Sequence, residues 1–330
     1  RRGCSDHRFS QHYCVVIPFA SPVSSVSCAP PQGLRLRSVS RSRGVARKLL
    51  PALTGLLLFL QSALVITGGA VRVTGSGLGC PTWPECTPGS YTPVPGQAEG
   101  QMHAWIEFGN RLLTFALLFA ALATVIAIFR SGRRDLRFLG ATQVLGILGQ
   151  GVLGGITVLT DLNPLAVGSH LLLSILLIAA ATSLHSRRHH PSVRTSSTEV
   201  RISRVSLAHI NLAFIAITIG TLVTGSGPHA GDVDAPRLDF AITTITRIHS
   251  ASVWLLMIVS VYFLFSRKLN YETKRWLIIF IVLAIGQGAI GYIQYFLGVP
   301  EELVVMHLLG SVLVWIAAWR VRLSVVRKPA

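Results

Sequence analysis

The sequence predicts an all-α polytopic membrane protein with eight transmembrane helices arranged as two parallel four-helix repeats. Three observations lead there. Of 330 residues, 51% are hydrophobic and only 13% charged, and the mean hydropathy of +0.56 is too apolar for a soluble domain of this length. Eight separate apolar runs are each long enough to cross a hydrocarbon core, which takes around 20 helical residues. A 22-residue phrase is also written twice: GQGVLGGITVLTDLNPLAVGSH from Gly149 to His170, and GQGAIGYIQYFLGVPEELVVMH from Gly286 to His307.

The first run, near residues 49–67, follows a Ser-, Pro- and Arg-rich stretch almost without acids. Residues 1–45 are therefore expected to be disordered or a non-native extension, although a mitochondrial transit peptide has a similar composition. The remaining runs fall near 104–129, 138–160, 165–185, 206–224, 241–265, 274–297 and 302–320. Basic residues sort between the connections. Arg35, Arg37, Arg41, Arg43, Arg47 and Lys48 precede the first run, and Arg130, Arg133, Arg134 and Arg137 follow the second. Arg187, Arg188, Arg194, Arg201 and Arg204 follow the fourth, Arg267, Lys268, Lys274 and Arg275 the sixth, and Arg320, Arg322, Arg327 and Lys328 the eighth. These connections mark the cytoplasmic side, so both termini are expected inside. The opposite connections carry Glu85, Glu99, Asp161, Asp232, Asp234, Asp239, Glu301 and Glu302 against only Arg72 and Arg237. A net charge of +17 thus reflects topology, and no basic face for nucleic acid is expected.

Four spans separate the two copies of the repeated phrase, and an even number returns the chain to the same side. Halves 46–190 and 191–330 are therefore expected to be parallel repeats about a pseudo-twofold axis along the membrane normal. A second match, VTGSG at Val73–Gly77 and again at Val223–Gly227, follows the first span of each half.

Ionisable groups inside a bilayer are costly and mark candidate sites. Here they are Glu107, Arg111 and His103 on the second span, His170 on the fourth, Arg247 and His249 on the sixth, and His307 on the eighth. His170, His249 and His307 lie roughly 8 to 12 Å below the outer surface, counting 1.5 Å per residue. Two histidines at matching depth suit the axial positions of a haem set between helices. The residue of the first half that aligns with His249 is Asn110, so the second half reads as a two-histidine site and the first as a one-histidine site. The alternative is a set of buried histidines bonded to neighbouring backbone. Gln150 and Gln287 read as interhelical hydrogen-bonding residues and the glycines as points of close contact. Zinc would ask for three or four close ligands including carboxylate or thiolate, which this pattern lacks. Arg111 and Arg247 adjoin the candidate ligands and either pair with haem propionates or snorkel.

The run GGAVRVTGSGLGCPTWPEC from Gly68 to Cys86, the segment IEFGNR from Ile106 to Arg111, and the histidines at 170, 249 and 307 resemble the heme A synthase family over about residues 49–320. The resemblance implies oxidation of the C8 methyl of haem O to a formyl group, with oxygen from water, to supply terminal oxidases with haem A. It implies haem b in the C-terminal half, held by His249 and His307, and substrate haem O in the N-terminal half. His170 is then a ligand on the substrate side and Glu107 the catalytic carboxylate, accepting protons and stabilising positive charge at the oxidised methyl carbon. The simpler role for Glu107 is an i to i+4 pair with Arg111. Where the family reads Glu-x-x-His-Arg, this chain has Asn110. An amide is a poor iron ligand, so His170 alone is expected to hold haem O, with His103 the alternative, roughly 10 Å of rise away. Cys80 and Cys86 are either a structural disulfide or a thiol pair exchanging electrons, as the family implies for some members.

Expected partners are haem O synthase (protohaem farnesyltransferase), an unidentified electron acceptor with a quinone among the candidates, and membrane lipid, with self-association left open. The setting implied is a cell membrane, the bacterial inner membrane ahead of the mitochondrial one. The competing reading is a b-type membrane cytochrome passing electrons between quinol and a partner. A secondary transporter gives no reason for histidines confined to one outer layer.

Overall fold

A computed structural model describes residues 33–189, 192–194, 200–267 and 269–329. Of the extension expected over residues 1–45, residues 1–32, with Cys4, Cys14 and Cys28, lie outside these, and residues 33–45 are helical rather than disordered. The chain forms helices α1 Gly33–Val73, α2 Gln101–Ser131, α3 Arg137–Leu159 and α4 Pro164–Ser186, then α5 Val200–Ser226, α6 Ile242–Leu264, α7 Tyr271–Phe296 and α8 Glu301–Val326. A 3-10 turn, Arg134–Leu136, leads into α3, and two three-residue strands, β1 Ser192–Arg194 and β2 Arg327–Pro329, pair antiparallel. Eight helices are long and apolar enough to span a membrane.

Each helix outlasts or matches its apolar run, chiefly at the basic ends: α1, α5 and α8 continue past the expected residues 49, 206 and 320. Hydropathy marks where hydrocarbon ends, whereas a helix stops only where its backbone finds other partners. Local chemistry supplies several stops and starts. Gly132, with φ of 74°, closes α2 by donating its amide to the carbonyls of Ile128 and Phe129. Asn163 caps α4 by accepting from the Leu165 amide at 3.0 Å, with Pro164 at the first helical position. Asn270 caps α7 through the Thr273 amide at 2.7 Å. Pro51 lies inside α1, and there the Thr54 hydroxyl reaches the Leu50 carbonyl at 2.9 Å, engaging backbone next to the missing donor.

One core runs through both halves. Val65 of α1, Ile175 of α4, Ile210 of α5, Leu256 of α6, Phe280 of α7 and Trp315 of α8 belong to a single buried cluster. Trp315 donates to the Ile175 carbonyl and Trp319 to the Ser183 hydroxyl, each at 2.7 Å, tying α8 to α4. A second cluster, with Leu50, Leu57, Leu117, Ile147 and Leu184, fills the first half between α1, α2, α3 and α4. Between 17% and 33% of each helix's most apolar window is buried inside the protein. The remaining apolar surface, with Phe59, Phe119, Leu145, Ile258 and Val282 exposed, therefore requires lipid.

The two VTGSG segments meet. The Arg72 guanidinium donates to the Thr224 carbonyl at 2.7 Å and to that of His229, and the Gly77 amide donates to the Gly231 carbonyl at 2.8 Å. A Cβ at Gly77 would fall 3.0 Å from that oxygen, so only glycine permits the approach.

Candidate functional site: two histidine-lined helix sets

The repeated phrase builds the same local arrangement twice. In the first half, Gln150 of α3 donates to the His170 carbonyl at 3.0 Å. In the second, Gln287 of α7 donates to the His307 carbonyl at 2.7 Å. Each histidine sets its Cε1 over a glycine of the neighbouring helix, where a Cβ would lie 3.6 Å away for Gly154 and His170 and 3.1 Å away for Gly291 and His307. The glutamines thus fix helix register, and the glycines make the notch into which each ring turns.

His249 of α6 uses a different glycine, Gly220 of α5, whose Cβ would meet Cε1 at 3.2 Å and Nδ1 at 3.6 Å. The Ala216 carbonyl stands beside this ring without reaching hydrogen-bonding geometry. His249 and His307 are near enough to interact electrostatically. In all three histidines Nδ1 is sealed from solvent and has no hydrogen-bond partner, yet each ring as a whole is only half-buried. Nε2 is not among the sealed, unpartnered nitrogens of these three rings.

A ring whose Nδ1 is sealed away has Nε2 left as the nitrogen that can bind a further group. Among the described residues no three His, Cys, Asp or Glu side chains converge to hold a bare metal ion. The donors suit an iron porphyrin, which brings four equatorial nitrogens and asks the protein for axial ligands alone. Residues His249 and His307 fit one such group, and His170 fits a second from one side.

The partner position in the first half is Asn110 of α2. Its Oδ1 accepts from the Thr67 hydroxyl of α1 at 2.7 Å, and its Nδ2 lies beside Gly68, 3.9 Å from where a Cβ would stand. His103, two turns earlier on α2, bonds the Ser76 hydroxyl through Nδ1 at 2.8 Å.

Glu107 is 6% exposed and fully engaged. One carboxylate oxygen accepts from the Cys80 amide at 2.6 Å, and the other from Arg111 at 2.6 Å and 3.1 Å. Arg111 spends its remaining donors on the carbonyls of Glu85, Cys80 and Thr82 at 3.1, 2.9 and 3.1 Å. The Glu107–Arg111 pair is therefore real, and it clamps the loop closed by the Cys80–Cys86 disulfide onto α2. Two glycines complete the docking. Gly79 lies so near α2 that a Cβ would be 2.4 Å from the His103 carbonyl oxygen, and Trp83 seats its indole over Gly155 of α3. Arg247 is exposed and has no hydrogen bond or ion pair among the described residues. Sequence reading missed Thr67, Ser76 and Trp83, whose partners lie 43, 27 and 72 residues away and share no periodicity with them.

Fold and site together define a multi-pass helical membrane protein with three half-buried imidazoles set against glycines of neighbouring helices. Residues 52–231 match the family model described as cytochrome oxidase assembly protein, and the chain belongs to that family, the family of the heme A synthases. The heme A synthase of Geobacillus thermodenitrificans is 34% identical over 109 residues, a match spanning 32% of each chain. This chain thus covers about a third of that relative's length. Similarity to the heme A synthase of Methylobacterium sp. (strain 4-46) is 26% over 72% of each chain. With that of Sinorhizobium fredii it is 26%, over 80% of this chain and 87% of the relative.

Proposed function

We propose that this chain is a heme A synthase, which oxidises the C8 methyl of haem O to a formyl group with oxygen taken from water. The observation that carries the reading is the asymmetry between the two halves: imidazoles at both His249 and His307 in one, against His170 and the carboxamide of Asn110 in the other. A pure electron carrier gains nothing from a half with a single imidazole, whereas a substrate site must release its occupant.

The balance of the reaction sets what the residues must do. Converting a methyl group and one water to a formyl group releases four electrons and four protons. Haem b in the second half, when bound, supplies a one-electron relay towards an acceptor of the quinone class. His249 and His307 hold it from α6 and α8, with Gly220 and Gly291 setting the ring planes. His170 orients haem O in the first half. Glu107, held by the Cys80 amide, would offset positive charge developing at the oxidised carbon and then accept a proton released there, giving up its own charge as it does so. Arg111 holds that carboxylate in place, and the disulfide loop with Trp83 closes the outer end against bulk water.

On this reading the multi-pass protein works in the bacterial inner membrane with both termini cytoplasmic, next to haem O synthase, whose product it consumes. The test is expression beside a haem O synthase and chromatography of the extracted haems. A formylated product supports the synthase; haem B alone overturns it in favour of the b-type cytochrome.

A further inference from the structure

We propose that Asn110 turns the first half into a haem site with one open axial face, where its carboxamide holds a small oxygen-donor ligand, water in the resting protein. This rests on the reading of that half as the haem O site.

Three features of the geometry point there. Asn110 occupies on α2 the place that His249 occupies on α6, set against a glycine of the first helix of its half, Gly68 as against Gly220. Its Oδ1 is pinned to α1 by the Thr67 hydroxyl at 2.7 Å, which fixes the plane of the amide. Among the described residues Nδ2 makes no hydrogen bond, so both of its hydrogens are uncommitted on a half-buried side chain of α2. An amide nitrogen has no lone pair to give a metal; it only donates.

Covalent geometry completes the argument. Nδ2 of asparagine is one bond from Cγ, whereas Nε2 of histidine is two, so the carboxamide stops short of the position an axial imidazole nitrogen would take. The gap is suited to a ligand of one or a few atoms, held between the macrocycle and two N–H donors. Water, hydroxide and small anions have that chemistry. His103, the other imidazole on α2, does not fill the gap, because it lies two turns from Asn110, roughly 10 Å of helical rise away. His170 would then hold haem O as an exchangeable, weakly ligated guest, unlike the doubly held haem b.

The test uses full-length protein produced beside haem O synthase and purified in the ferric state. Electron paramagnetic resonance is expected to show a low-spin signal, lost on changing His249 and His307 to Ala, and a high-spin signal, lost in His170→Ala. Azide should convert the high-spin signal alone. Asn110→His should turn that signal low-spin and azide-insensitive. Asn110→Leu should keep it high-spin but weaken azide binding about tenfold, the worth of a hydrogen bond to a charged ligand. Thr67→Val, which frees the amide to rotate, should fall between the two. A wild-type first-half haem that is already low-spin, or equal azide affinity in Asn110→Leu, overturns the proposal and leaves the synthase reading standing. If His170→Ala changes neither haem content nor spectrum, the first-half haem site itself falls, and both readings with it.

Discussion

Matched substitutions at Gly154 and Gly291 separate a built ligand notch from a merely tolerant helix contact. A Cβ at 154 would meet Cε1 of His170 at 3.6 Å, inside the comfortable range for carbon contacts; at 291 it would meet Cε1 of His307 at 3.1 Å. Optimal carbon–carbon separation is about 3.5–4.0 Å, so Gly291→Ala must push the imidazole by roughly 0.4 Å while Gly154→Ala pushes nothing. Alanine gains about 0.8–1.0 kcal/mol over glycine within a helix. Overpacking at 291 costs about 1–3 kcal/mol against that gain. Gly154→Ala should therefore raise the apparent Tm, whereas Gly291→Ala should leave it level or lower it. The spectra should separate as well: tilting His307 changes the anisotropy of the low-spin haem signal in Gly291→Ala, with Gly154→Ala unchanged there. Thermal unfolding in detergent and ferric electron paramagnetic resonance read both effects. Equal behaviour of the two variants would refute the notch argument.

Three further outcomes test the first half. Gly155→Ala places a Cβ 2.6 Å from Trp83 Cδ2, which must evict the indole, so tryptophan emission should shift to the red; unchanged emission would mean that Trp83 does not seat there. Glu107→Gln leaves Arg111 without its carboxylate, a buried pair whose breaking costs about 3–5 kcal/mol, less here because Arg111 keeps 20% exposure and three loop carbonyls. Bound-haem absorbance should survive that change while haem A formation stops, and retained turnover would remove Glu107 from the chemistry. Cys80→Ser opens a disulfide of sequence separation 6, with a loss of about 2 kcal/mol of stability expected from loop closure. If product still forms in Cys80→Ser, the bridge is a staple; if formation stops although the loop stays protected from protease, the thiols carry electrons.

Much of this was legible in sequence because the bilayer imposes few rules. Eight apolar runs gave eight helices, with ends drifting mainly where basic residues let helices run on into water, as at α1, α5 and α8. The histidine layer was legible because imidazole in hydrocarbon is rare and the phrase around it is doubled. The glycine under each ring was visible as a residue but not as a notch: Gly154 and Gly291 precede their histidines by 16 residues, while the Gly220 that serves His249 lies outside the doubled phrase. Glu107 and Arg111 could be paired from their i to i+4 spacing, yet the carbonyls and amide they bind come from a loop whose path no periodicity encodes. Thr67 is one of several threonines on apolar helices, and only packing singles it out.

The central claim, that paired helix sets grip porphyrins through His249 and His307 and through His170, is tested most directly by haem content. Pyridine haemochrome analysis of wild type, the His249→Ala/His307→Ala double variant and His170→Ala should show haem b lost from the double variant alone. The haem O or haem A fraction should be lost from His170→Ala. Protein without iron porphyrin, or a double variant that keeps its full haem b, would contradict the account.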